Sequence, residues 1–326
     1  MRRIVLPTRP RRRARIDVVI PCYNYGHFLE GAIASILAQA DVDARVVIVD
    51  DASPDGSGAV ARRIAAREPR VRAVVHVTNR GHIASYNDGF RHVDADYVTL
   101  VSADDVVAPG ALGRAVALME RYPRVGLVYG PIATFADDRD DLPRRAHRLH
   151  LWRIWGRDDW VDAVARSGYN PIASPEAVLR TIALRQVGGY NPALPHSGDL
   201  EYWLRIAARW DVGQIHGPVQ AYYRVHGRNM HLTDFGTREI DVRERIAAFG
   251  VLSDAAVLDH LPAGRRHLRT ARRSLVAQID ELLHDGGADA AATTSLWELR
   301  IRLDPDTPRR RSTFTPPPSV RSRDAS

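Results

Sequence analysis

Two pairs of adjacent aspartates, Asp50-Asp51 and Asp104-Asp105, each follow a β-branched run, and that placement gives them chemical interest. Ligands of open parallel sheets bind outside the carboxyl ends of the strands, where a carboxylate can meet a ribose hydroxyl or a base N–H. Neighbouring acids repel each other unless a donor or cation lies close. Asp50 and Asp51 are therefore expected to face a ligand, whereas Ser53 and Asp55 just behind them are of turn and helix-cap type. The second pair, in Ser102-Ala103-Asp104-Asp105, suits a hard divalent cation such as Mg²⁺ or Mn²⁺, which commonly bridges one or two carboxylates to substrate phosphates.

Two further clusters add to these acids. Ser197-Gly198-Asp199-Leu200-Glu201 opens a helix-periodic segment, and Asp199 can act there as a general base toward an attacking hydroxyl. The same residue type is also a good helix N-cap, and Glu201 suits a first turn facing the helix dipole. In Tyr222-Tyr223-Arg224-Val225-His226-Gly227, His226 follows a strand, where a neutral imidazole can complete a metal site begun by a carboxylate. Arg224 can pair with a phosphate or with a structural acid.

The elements that must position these groups alternate. Ile16–Ile20, Arg45–Val49, Arg72–Val77, Tyr97–Val101 and Val125–Gly130 read as strands, separated by helical patterns over Phe28–Leu37, Gly56–Arg67, Ile83–His92 and Gly110–Arg121. Such alternation predicts a mainly parallel sheet covered by helices. A charged stretch, Phe135–Arg148, leads into Trp152, Trp155 and Trp160, which are expected to pack in the core at one or more positions and otherwise to help form an acceptor side. A helix over Asp199–Arg209, strands near Val212–His216 and Val219–Val225, and a helical region from Arg238 to Arg302 complete the pattern.

Composition narrows the classes. All 46 basic residues are Arg, so no lysine is available as a Schiff-base former or phosphate clamp. The net charge of +7 is concentrated in Arg2–Arg15 and Arg309–Arg323, which read as solvated tails, and no arginine–aromatic module of a nucleic-acid binder is present. The one cysteine, Cys22, excludes an internal disulfide and fits a reducing compartment. No run is long and apolar enough for a membrane span or a signal-peptide core, so a cytoplasmic protein is expected, with any peripheral membrane contact made through the Arg-rich tails. No Gly-x-Gly-x-x-Gly follows the first strand, which disfavours a dinucleotide-dependent oxidoreductase.

Taken in order, Val18-Val19-Ile20-Pro21-Cys22-Tyr23-Asn24, Val49-Asp50-Asp51-Ala52-Ser53-Pro54-Asp55-Gly56-Ser57, Asn79-Arg80-Gly81, Asn87-Asp88-Gly89 and Ser102-Ala103-Asp104-Asp105 with Pro109 resemble the inverting family-two glycosyltransferases of GT-A fold. The resemblance runs from about Ile16 to His226. It implies a nucleoside pocket lined by Pro21, Tyr23 and Asp51, with Asp50 and Asn79 also on the donor side, Asp104 near the ribose, Asp105 and His226 on a divalent metal, and Asp199 as catalytic base. Ser102 stands where many members have the first aspartate of an Asp-x-Asp motif, and Gly198 where many have a glutamate. The implied reaction moves a sugar from a nucleotide-diphosphate donor to an acceptor hydroxyl, on a glycan, lipid-linked sugar or small molecule, with inversion, in polysaccharide, cell-envelope or glycoconjugate synthesis. The implied organisation is a basic disordered tail at 1–15, a GT-A domain at 16–235 (nucleotide-binding half 16–130, acceptor half 131–235), a helical extension at 236–303 and a disordered Arg/Pro tail at 304–326. A nucleotidyltransferase is the alternative enzyme, but it would bring a glycine-rich basic loop where Pro21-Cys22-Tyr23-Asn24-Tyr25 stands. A non-catalytic sugar- or nucleotide-binding relative would not need both acid pairs together with Asp199.

Overall fold

Strands β2 (Ala14–Cys22) and β3 (Val42–Asp50) are almost continuous runs of Val and Ile because both faces of the sheet are covered. Ile16, Val18, Val19, Ile20, Ile48 and Val49 are all wholly buried. The computed structural model describes residues 2–136, 142, 151–227, 237–285 and 290–304. The two strands pair in parallel from Ala14 opposite Val42 to Cys22 opposite Asp50. This register brings the Pro21–Tyr25 loop and the Asp50-Asp51 pair to the same edge of the sheet. β4 (Val71–Val75) extends the sheet beyond β3, and β5 (Tyr97–Leu100) lies parallel on the other side of β2.

Helices α1 (Gly26–Leu37), α2 (Ser57–Arg67) and α3 (His82–Phe90) make the crossovers. α1 buries Leu29, Ala32, Ile33 and Ile36, the stripe seen in the sequence. α3 lies so close to β2 that a Cβ on Gly89 would stand 2.3 Å from Val19 Cγ1. Only glycine fits there.

The second half departs from parallel winding. After α4 (Ala111–Arg121) and β7 (Val125–Tyr129), the short strand β10 (Val178–Arg180) inserts antiparallel between β5 and β7. β11 (Asp211–Gln214) runs parallel to β7, and β9 (Trp152–Trp155) runs antiparallel to β11. A second small sheet, ordered β6 (Val106–Val107), β12 (Ala221–Arg224), β8 (Ile132–Phe135), carries the Asp104-Asp105 turn beside His226.

Two expectations change. Residues 1–15 read as a disordered tail, yet β1 (Arg2–Val5) pairs antiparallel with β9, and Ala14 and Arg15 already belong to β2. The outer edge of β9 offers unpaired backbone groups, and the Arg2 guanidinium lies 4.2 Å over the Trp155 ring. The opposite tail from residue 305 onward, and residues 228–236 at the end of the acceptor half, lie outside the described residues. Trp152, Trp155 and Trp160 are 2, 7 and 1% exposed and all belong to the core, so they form no acceptor surface. Trp160 sits on α5 (Arg157–Ser167), and Trp160→Ala is expected to cost about 3–5 kcal/mol in urea unfolding, the usual scale for deleting a buried aromatic.

The C-terminal helices α8 (Arg238–Gly250), α9 (Ala255–Leu258), α10 (Gly264–His284) and α11 (Ala290–Leu303) share the core of the second half. Phe249, Leu252, Leu268 and Leu275 pack in one cluster with Trp160, Val164 and Leu204. Arg245, 4% exposed, ties α8 to α10 by donating to Gln278 Oε1 and to Gly168 O. Among the described residues no helix is long and apolar enough to cross a membrane.

Candidate active site

A cavity of about 740 Å³ opens at the carboxyl ends of β2, β3 and β5. Its walls come from Pro21–Tyr25, Asp51, the Asn79–Tyr86 segment, Ser102–Asp104, Ala173-Ser174, the start of α7 (Gly198–Arg209) and Tyr223. Of the residues expected to bind or react, Pro21, Tyr23, Asp51, Asn79, Asp104 and Asp199 line it; Asp50, Asp105 and His226 do not.

The separation of Asp50 from Asp51 has a local cause. Asp50 still belongs to β3 and points into the interior, 1% exposed, where its Oδ2 accepts the Ser53 N–H at 3.2 Å. It holds the turn rather than facing a ligand, which corrects the expectation. In the next turn Asp55 accepts from Ser57 N–H at 2.9 Å, and the Ser57 hydroxyl accepts from Gly26 N–H at 2.7 Å, joining the first and second strand-end loops. Asp51 faces the cavity and is saturated from behind: Oδ1 accepts Arg80 N–H at 2.8 Å and meets His76 Nδ1 at 2.7 Å, while Oδ2 accepts Gly81 N–H at 2.7 Å. Gly81, at φ +85, lets the chain turn so that its N–H reaches Asp51. Asp51 thus fixes the wall carrying Asn79 and leads on to α3. Cys22 is buried, and burial pushes its thiol up to about 12, so it is not a nucleophile.

The second acid pair also divides. Asp104 Oδ2 meets His226 Nε2 at 3.1 Å on the cavity side. Asp105, 1% exposed, accepts the Arg224 N–H through Oδ1 at 3.0 Å, and its Oδ2 has no partner among the described residues. Burial raises the carboxyl pKa of both, more strongly for Asp105, where the charge of Asp104 adds to it. Arg224 is structural: its Nε donates to Asp104 O at 3.0 Å and its Nη1 to Ala136 O at 2.8 Å, with the guanidinium between the Phe28 and Phe135 rings. Asp104 and His226, rather than Asp105 and His226, are therefore the side chains brought together.

An oxygen and an imidazole side by side, with a buried unpaired carboxylate oxygen behind them, suit Mn²⁺ or Mg²⁺ in kind. Among the described residues no three His, Cys, Asp or Glu side chains converge into a metal cage. The set fits a cation only as an open site completed by ligand oxygens.

Asp199 lines the same cavity as Asp104. α7 begins at Gly198 with Ser197 in the cap position, so Asp199 lies inside the first turn and its side chain is not the cap. Its Oδ2 accepts from the Ser174 hydroxyl, and burial raises its pKa while that hydrogen bond lowers it. Glu201 is occupied: it forks with Arg205 at 2.8 and 2.9 Å, which also donates to Gly189 O.

Sequence reasoning missed Ser174 and Glu176. Neither lies in a recognisable motif, and both precede the three-residue strand β10 that periodicity does not reveal. Glu176 is 5% exposed, and burial pushes its carboxyl from 4.5 up to about 7. A raised carboxyl pKa means the folded state holds the proton longer, so this group's contribution to stability is full below about 4.5 and is lost as pH rises through about 7. Glu176→Gln is accordingly expected to stabilise the protein at pH 8, by on the order of 3 kcal/mol at most, and to be near neutral at pH 4, as read by urea unfolding at both values.

Residues 17–167 match the family model described as glycosyl transferase family 2. An uncharacterized glycosyltransferase of Nostoc sp. is 27% identical over 242 residues, covering 67% of each chain. The O-antigen biosynthesis protein RfbC of Myxococcus xanthus is 28% identical over 64% of this chain, which spans only 16% of that protein. Among solved structures, S. aureus TarS in complex with UDP-GlcNAc superposes with a TM-score of 0.59 at 14% identity, covering 82% of this chain and 73% of that one. A mannosyltransferase of Pyrobaculum calidifontis in complex with GDP-Man and Mn²⁺ gives 0.55 at 22% identity, covering 90 and 87%. The fold is that of the GT-A glycosyltransferases. The match to family 2 covers residues 17–167, just under half of the chain.

Proposed function

We propose that the protein transfers a sugar from a nucleotide-diphosphate donor to an acceptor hydroxyl with inversion at the anomeric carbon, assisted by a divalent metal. The observation that carries this reading is that Asp104 and Asp199 line one cavity of about 740 Å³ together with Asp51 and the Pro21–Tyr25 loop. Pro21, Tyr23 and Asn79 supply nucleoside contacts. Asp199 takes the proton of the acceptor hydroxyl as that oxygen attacks the anomeric carbon. The bond from that carbon to the phosphate oxygen breaks, its electron pair leaves with the nucleoside diphosphate, and a single displacement inverts the centre. Asp104 and His226 would hold a divalent metal, which would supply positive charge to offset the negative charge gathering on the leaving diphosphate. Ser174 keeps the Asp199 carboxylate oriented.

The nucleotide sugars in the two structural relatives, and Mn²⁺ in one of them, support the donor class and the metal. The O-antigen relative supports an acceptor that is part of a polysaccharide or other envelope glycan. The absence of a glycine-rich basic loop at Pro21–Tyr25 counts against nucleotidyl transfer. A cytoplasmic location, with any contact to the inner membrane face made through the arginines of residues 2–15 and 309–323, belongs to this reading. The test is release of nucleoside diphosphate from a panel of UDP-, GDP- and dTDP-sugars with Mn²⁺ and with EDTA. Metal-dependent release from at least one donor is expected; release of pyrophosphate from sugar phosphates and nucleoside triphosphates instead would overturn the reading in favour of nucleotidyl transfer.

A further inference from the structure

β7 and β11 run parallel and end side by side, Tyr129 opposite Gln214. Their carboxyl ends open onto a second cavity of about 610 Å³, as those of β2, β3 and β5 open onto the first. Ala173 lines both.

The chain between the two cavities is one tight turn. Ala177 N–H donates to Ser174 O at 2.9 Å, and Glu176 Oε1 accepts the Ala173 N–H at 2.8 Å. Ser174 holds φ +88, a left-handed conformation that costs a serine on the order of 1 kcal/mol or more. That conformation accompanies its hydroxyl's bond to Asp199 on one side of the turn. On the other side Glu176, 5% exposed, lines the second cavity, and its Oε2 has no partner among the described residues.

A buried carboxylate oxygen without a donor is costly, and a ligand hydroxyl entering the cavity would relieve it. No Arg or Lys lines the cavity, where an anionic ligand would meet the Glu176 carboxyl with only the His216 imidazole to offset it. Burial pushes the Glu176 carboxyl up to about 7, so near neutral pH it is partly protonated and can both accept from and donate to a hydroxyl, whereas a cationic amine only donates. Asn170 and Gln214 add amide N–H donors, their oxygens already accepting from the Ile172 N–H and the Trp155 indole, while Ile172 and Ile215 give apolar wall for the faces of a ring.

We infer that this second cavity is the subsite for the body of a hydroxyl-rich, uncharged acceptor, a sugar unit adjoining the one whose hydroxyl reaches Asp199, with Glu176 as its buried hydrogen-bond partner. The inference rests on the reading of Asp199 as the base. A single turn of chain then connects acceptor recognition at Glu176 to the orientation of Asp199 through Ser174.

The experiment is saturation-transfer NMR on the full chain with methyl glycosides of glucose, galactose, mannose, rhamnose and N-acetylglucosamine, with glucosamine as the cationic comparison. At least one neutral glycoside is expected to bind wild type and to lose at least fivefold in affinity in Glu176→Gln. Thermal stabilisation by the nucleoside diphosphate that binds wild type should persist in that variant. Because Glu176→Gln is expected to be the more stable protein at pH 8, weaker binding there is not a folding defect. Asn170→Ala, which removes the acceptor of the Ile172 N–H but leaves both hydrogen bonds of the Ala173–Ala177 turn in place, is expected to weaken the same glycoside. Absence of binding by every neutral glycoside, binding in Glu176→Gln equal to wild type, or binding by glucosamine alone would overturn the subsite. Loss of glycoside binding in Glu176→Gln together with full transfer by Asp199→Asn would instead leave the subsite and remove the base.

Discussion

Asparagine at position 199 is expected to lower kcat for transfer by on the order of 10² to 10⁴, the range of general-base catalysis, while leaving nucleotide-dependent stabilisation in place. The amide keeps an oxygen that can accept from the Ser174 hydroxyl, as Asp199 Oδ2 does, so the side chain retains its position. It cannot take up the acceptor's proton. Ser197 occupies the cap position of α7, so the mild effect expected of swapping one cap residue for another does not apply. The loss of one first-turn carboxylate should cost only about 0.3–1 kcal/mol of helix stability. In the wild type the acid limb of the pH–rate profile should lie above the ordinary aspartate range, because burial raises the pKa of Asp199 and only the deprotonated form acts as base. Since Glu201 is held by Arg205, it offers no replacement base. A stable Asp199→Asn protein with wild-type kcat would remove Asp199 from the mechanism.

The second large effect is expected at the divided acid pair. Asp104→Ala should abolish Mn²⁺-dependent tightening of nucleoside diphosphate binding and reduce turnover by 10² or more, measured by calorimetric titration with and without the metal and by release of nucleoside diphosphate, because it removes the only one of the two carboxylates that both lines the cavity and meets His226. Asp105→Ala should act differently. It leaves the Arg224 N–H without its acceptor in a buried position, a loss of about 1–3 kcal/mol in stability. Urea unfolding and metal titration of the two variants separate these roles: Asp105→Ala should lose stability first, and Asp104→Ala should lose metal response first. Equal loss of metal response with unchanged stability in Asp105→Ala would restore the assignment made from sequence.

The nucleotide-binding half was legible because its physics is local. Continuous Val/Ile runs at β2 and β3, and a four-residue apolar spacing along α1, state directly which surfaces are buried. Which member of an acid pair faces the ligand was not legible, since that depends on where the strand's alternation ends: Asp50 closes β3 pointing inward and Asp51 is the first residue outside it. The antiparallel insertion of β10 was hidden for a different reason. Three residues carry no period, and the strand is defined by its neighbours β5 and β7, distant in sequence. Ser174 and Glu176 were lost with it, because their significance lies in a turn whose partners, Ala173 N–H and the Asp199 carboxylate, emerge only on folding. The sequence leaves the tryptophans divided between core and acceptor side because the preceding charged stretch suggests a surface, whereas pairing of β9 with β11 and β1 draws Trp152 and Trp155 inward.

The most direct measurement of the central claim is the melting temperature of wild type and Asp104→Ala with UDP, GDP and dTDP, each in Mn²⁺ and in EDTA. Ligand present at about 100 times its dissociation constant stabilises a native protein by about 2.7 kcal/mol, a readily measured shift. At least one of the three diphosphates should raise the melting temperature of wild type, more strongly with Mn²⁺ than with EDTA, and the Mn²⁺ increment should be absent from Asp104→Ala. No shift with any diphosphate, or the same Mn²⁺ increment in both proteins, would contradict a metal-assisted nucleotide-sugar site in this cavity.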